Sequence, residues 1–196
     1  MRKAISGIHG NVQPAVYVVL AFSLLYLPIG WVIAWIIALL FHELCHYAAL
    51  RLCRCSLDEI EFGMNGAVMS AAPMDWKQQL FCTLAGPTGS LCLIIFGKWF
   101  PEIAVCALLQ SMYNLLPIMP MDGGRIIECI FLQIFSVNTA KRILKLTELS
   151  IFIALGAASL YAVVYMKLGI IPVVAFLLLC LKNRKTPCKA DVLRVQ

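Results

Sequence analysis

The sequence predicts an all-α polytopic membrane protein of about six transmembrane helices, with a small membrane-edge β-hairpin between the second and third. Three observations carry this expectation. The chain of 196 residues is 62% hydrophobic and only 13% charged, whereas a soluble domain carries about a quarter charged residues. The apolar residues gather in long runs, as membrane spans do. The basic residues flank those runs, so the formal charge of +6 forms no single stripe of the kind that nucleic acid would need.

Taken in order, "MRKAISGIHGNVQPAVYVVLAFSLLYL" places basic residues before an apolar run, as a signal peptide does. It has no clear small-x-small cleavage site and a further apolar run follows, so residues 15–27 read as an uncleaved first span. The others are expected at 31–52, 79–100, 103–118, 147–166 and 168–181. A crossing takes about 20 helical residues, so the first, fourth and sixth are short. Residues 1–181 read as one membrane domain, and 182–196 as a short basic cytoplasmic tail. With both ends in the cytoplasm, only Lys98 and Lys167 of the 16 Lys and Arg fall outside, which satisfies the positive-inside rule. Trp31, Trp76 and Trp99 near span ends suit the membrane interface, as does His9. The stretch 138–146, "NTAKRILKL", reads as a solvated basic flank that can also meet anionic lipid or an acidic partner.

Between the second and third spans, Ile60, Phe62 and Met64 alternate with Glu59, Glu61 and Gly63, and Asn65-Gly66 is a hairpin turn signal. The segment 57–71 therefore reads as a hairpin whose edge can pair with an extended peptide, against the plainer reading of an amphipathic loop. Most of the nine cysteines lie in apolar runs at no metal-site spacing and read as small hydrophobes in a reducing setting. Cys53 and Cys55 lack a second Cys/His pair at zinc spacing and read as loop thiols.

The chemistry concentrates in "FHELCH", inside the second span. His42 and His46 stand one turn apart on one helix face, with Glu43 beside them, the H-E-x-x-H arrangement of zinc proteases. The plainer alternative is a polar patch joining helices. Ionisable groups cost several kcal/mol each in a membrane, which favours the metal reading. A catalytic zinc takes three protein ligands and leaves one position open. The third ligand is expected from Asp122 in "NLLPIMPMDGGR", where Pro117 and Pro120 break the fourth span, and Gly123 and Gly124 permit a tight turn or a close approach. The alternative there is a plain exit turn with a solvated Asp.

Together, "HELCH" at 42–46, "LAGPTGS" at 84–90 and "NLLPIMPMDGG" at 114–124 resemble the site-2 protease family of intramembrane zinc metalloproteases, in order and over nearly the whole chain. Within it, the layout looks most similar to the stage IV sporulation protease that processes a membrane-tethered pro-sigma factor. The resemblance implies one zinc ion per chain on His42, His46 and Asp122, Glu43 as the catalytic residue, and Asn114 near the scissile peptide. It implies a tethered protein substrate, an inhibitory membrane partner, and a bacterial cell or forespore membrane as the location. Cys45 stands where relatives often have Gly, about 100° around the helix from His46, and is expected to pack rather than ligate. Gly86 and Gly89 are expected to allow close helix packing near the histidines. Two other functions compete. A metal-ion permease needs a polar route through both leaflets, and the outer halves of the spans offer little polar lining. A catalytically inactive, membrane-protein-binding relative is disfavoured by the intact Glu43.

Overall fold

Pro28 sets the start of the first long helix. A computed structural model describes residues 23–55, 57–63, 66–71, 74–119, 121–166 and parts of 169–180. Most of the expected first span, much of the sixth, His9 and the tail at 182–196 lie outside these residues. The chain falls into two units, Met1–Asn114 and Leu115–Gln196.

In the first unit, Pro28 (φ −56°, ψ 141°) precedes α1, Ile29–Leu52. Its ring fixes φ and offers no N–H, so it suits a helix start. At 24 residues and 1.5 Å per residue, α1 is about 36 Å long, enough for a bilayer core of about 30 Å. Its packing is inverted relative to a soluble helix. Ala34, Ala38 and Ala49 are buried, while Ile33, Leu40 and Leu44 face outward. Lipid gives no reason to hide large apolar side chains, so small residues take the helix contacts. The C-terminus closes in a Schellman motif. Cys55 N–H donates to Leu50 O at 3.1 Å and Arg54 N–H to Arg51 O at 3.1 Å. Arg54 takes the left-handed position, φ 56°, that usually belongs to glycine.

Two strands follow, β1 at Leu57–Gly63 and β2 at Gly66–Ala71. They pair antiparallel from Glu59↔Ser70 to Gly63↔Gly66, with an irregularity between Leu57 and Glu59. β2 is the strand that touches α1.

Helix α2, Trp76–Cys92, opens with Asp75 N–H donating to Gln78 Oε1 at 3.3 Å. It carries a buried Pro87 in its interior. The ring removes the helical hydrogen bond to the Thr83 carbonyl, and the Pro87 carbonyl accepts from Ser111 Oγ at 3.2 Å. The helix then tightens into a 3-10 segment, Leu93–Lys98. Helix α3, Pro101–Asn114, has proline at its first position and Glu102 in its first turn, both suited to a helix N-terminus. It meets α1 through Ala34, Ala38, Cys106 and Ala107, with Leu93 and Ile103 against that cluster.

Two expected boundaries need correction. The third apolar segment runs Trp76–Lys98, not 79–100, because the Asp75 cap starts it early. The fourth, expected over 103–118, is a helix of 14 residues ending at Asn114. Pro117 forbids a helical hydrogen bond from its own nitrogen and crowds the carbonyl four residues back.

In the second unit, helix α4 spans Asp122–Ile134 and α5 spans Val137–Val164. The sequence placed no span over 122–134, and a helix of 13 residues lies there. Its two opening glycines accept the preceding loop rather than bending the chain. A Cβ on Gly123 would strike the Leu115 carbonyl, and one on Gly124 would lie 2.8 Å from Ile118 C and O. Ser136 caps α5, accepting from Thr139 N–H at 3.4 Å. The expected fifth span, 147–166, thus begins ten residues early, and the basic stretch 138–146 lies inside its helix. Burial pushes the Glu128 carboxyl of α4 above the usual carboxylate range, against the opposing pull of Arg125 and Lys141.

Among the described residues, three helical segments are long and apolar enough to cross a membrane: Ile29–Leu52, Trp76–Lys98 and Val137–Val164. The chain is a multi-pass membrane protein.

Candidate metal centre

The site in the first unit grows from one turn of α1. His42 is 2% exposed and His46 half-buried. Their rings stand nearly perpendicular, with centroids 4.8 Å apart. Each ring is held from behind by α2. His46 Nδ1 lies 2.7 Å from the Cys82 carbonyl oxygen, and His42 Nδ1 lies 3.0 Å from Ser90 Oγ. Asn114, the last residue of α3, brings its Nδ2 to 3.1 Å from His42 Nε2.

A carbonyl oxygen only accepts, so His46 carries a proton on Nδ1 and donates to Cys82 O. The two Nε2 atoms lie 3.2 Å apart. Two nitrogens on one tetrahedral zinc, at 2.0–2.1 Å each, stand about 3.3–3.4 Å apart. The donor pair therefore fits a metal ion in both chemistry and spacing.

Small residues make this approach feasible. A Cβ on Gly86 would run into His46 Nε2, Cε1 and Cδ2, and one on Gly89 would run into Cys45 Sγ. Cys45 packs against α2 at Gly89, as expected of it. Glu43, half-buried, lies about 100° around α1 from His42.

In the second unit, Asp122 is the first residue of α4, half-buried, behind Met121 in extended conformation. The loop at Leu115–Met119 lies directly on Gly123 and Gly124. The two histidines of the first unit offer two ligand nitrogens, and Asp122 is the carboxylate that the sequence assigns as the third ligand. Cys53 Sγ lies 3.8 Å from Cys82 Sγ, and both are free thiols.

Sequence reasoning missed Ser90 and the Cys82 carbonyl. The available signal was the small-residue face of α2, where Cys82, Thr83, Gly86, Pro87 and Ser90 are all buried. Such a face marks where another helix comes close, and the histidine helix is the one that does.

No protein-family model and no curated protein matches the chain. Among solved structures, it resembles the site-2 protease from Methanocaldococcus jannaschii, with a TM-score of 0.63 at 20% sequence identity over 95% of each chain. The chain shares its fold with that protein.

Proposed function

We propose that this protein is an intramembrane zinc metalloprotease, with the metal on His42, His46 and Asp122. The observation that carries the proposal is the pair of Nε2 atoms, 3.2 Å apart, at the separation of two ligands on one zinc ion. The shared fold supports the same reading. Zinc, when bound, supplies Lewis acidity toward a peptide carbonyl and acidifies water toward neutral pH.

The rest is done by the protein's own residues. Cys82 O and Ser90 Oγ hold the two imidazoles in place, as outer-shell partners of metal ligands do. Glu43 takes the proton of the attacking water on a carboxylate oxygen and passes it to the leaving amine. Asn114, an amide donor beside His42, orients the peptide carbonyl under attack. A helical substrate hides its peptide groups, so it must extend first. The edge of β2 away from β1, unpaired among the described residues, offers it backbone partners by strand addition. We read both termini as cytoplasmic, and the substrate as a membrane-tethered regulator of the pro-sigma-factor kind, with an inhibitory membrane partner restraining the enzyme.

The test uses co-expression with a panel of tethered regulators, followed by purification of the wild type and two variants. Glu43→Gln should keep its zinc while cleavage falls about 10²–10⁴-fold. Asp122→Asn should lose both. Normal cleavage by Glu43→Gln would remove the mechanism, and Glu43-independent zinc flux in proteoliposomes would favour a permease.

A further inference from the structure

Gln110 of α3 has no role in the account so far. It is 9% exposed, and neither its Oε1 nor its Nε2 finds a hydrogen-bond partner among the described residues. Burying an amide without partners costs about 1–3 kcal/mol by protein mutational data. A leucine there would avoid that cost. An amide retained in such a place needs a partner that comes from elsewhere.

Its position says which partner. On α3, residues four apart lie about 40° apart around the axis and about 6 Å along it. Gln110 therefore sits between Cys106 and Asn114 on one face. Cys106 packs on Ala34 and Ala38 of α1, and Asn114 bonds His42 of α1. Ser111 points the other way, to Pro87 of α2. Gln110 thus lies on the α1-facing side of α3, one turn from Asn114, which bonds His42.

An extended chain matches that spacing. Residues two apart in a strand point their N–H and C=O to the same side and are about 6.6–6.8 Å apart. A carboxamide complements such a pair, since Nε2 donates to the C=O and Oε1 accepts from the N–H. We infer that Gln110 is a substrate-binding residue, its amide taking the backbone N–H and C=O of the substrate residue two positions from the one Asn114 holds. The inference rests on the proteolytic reading of the site. It makes Gln110 a gauge of extension, because a substrate still helical at that point presents neither group.

Two variants of the full chain, Gln110→Met and Gln110→Leu, test it on a tethered substrate that the wild type cleaves in a Glu43-dependent way. KM should rise about tenfold, the loss of two neutral hydrogen bonds, with kcat and zinc content unchanged. The thermal midpoint should stay level or rise, because an orphaned amide is gone. A synthetic peptide of the cleaved segment, with a backbone ester replacing the N–H two residues to either side of the scissile bond, completes the test. One of the two esters should weaken cleavage by the wild type and cost Gln110→Met nothing further. Unchanged KM, independent addition of the mutation and both esters, or a fall in thermal stability of both variants would each overturn the inference. Failure of the proteolytic reading looks different, because cleavage would then survive Glu43→Gln.

Discussion

A methyl group at position 86 would occupy space that the His46 imidazole fills. That ring is not at liberty to swing aside, because Cys82 O holds its Nδ1 at 2.7 Å. Gly86→Ala should therefore leave the helices intact and displace one ligand. We expect zinc affinity to fall about 10–100-fold, the range seen when the support of a metal ligand is lost, with cleavage falling in step. Zinc titration of the purified variant measures it, and wild-type affinity would show that the ring has another place to go. At this scale the sequence was most readable where function is local. His42, Glu43 and His46 follow from spacing along one helix. The partners of their outer nitrogens do not, since Ser90 is 48 residues from His42 and Cys82 is 36 from His46. Only packing brings those together. Gln110 was also silent in the sequence, where it is one polar residue in an apolar run.

At the scale of the element, helix ends decide what each segment does. Arg54 holds the left-handed position after α1, with φ 56°. A side chain there costs about 1–2 kcal/mol, and glycine avoids it. Part of that gain is offset by the greater freedom of glycine in the unfolded chain. Arg54→Gly should raise stability by about 0.5–1 kcal/mol, read as a higher thermal midpoint in detergent with cleavage unchanged. A lower midpoint would mean that the guanidinium makes a compensating contact. Pro117 was read as a break in the fourth span, yet the end was placed at 118 and not at Asn114, and Pro28 before α1 went unread. The sequence offered two uses for Gly123 and Gly124, a tight turn or a close approach, and it is the close approach that holds, with the loop at Leu115–Ile118 lying directly on them.

At the scale of the whole molecule, the membrane character was plain from composition, while the count of crossings was not. Hydropathy marks apolar runs but cannot see that α3 is only 14 residues long, or that α5 carries its basic stretch within the helix. Orientation can be read from the other side. Cys55 lies just beyond α1, on the face assigned to the cytoplasm. Its thiol is pushed above the ordinary range, first by burial and then by the neighbouring Cys53. A raised thiol pKa means less thiolate at neutral pH. In a variant keeping Cys55 as its only loop thiol, a membrane-impermeant maleimide should label inside-out vesicles and spare right-side-out ones. The rate should keep climbing at alkaline pH where an ordinary thiol has levelled off. Labelling of right-side-out vesicles alone would invert the topology.

The seam of Ala34, Ala38 and Ala107 has a mechanical consequence. Alanine has no side-chain rotamers to exchange, so at these three positions the helices meet without repacking, while Cys106, Leu93 and Ile103 around them can adjust. A motion that pivoted at the alanines would leave the spacing between His42 and Asn114 unchanged while the flanks of the joint part.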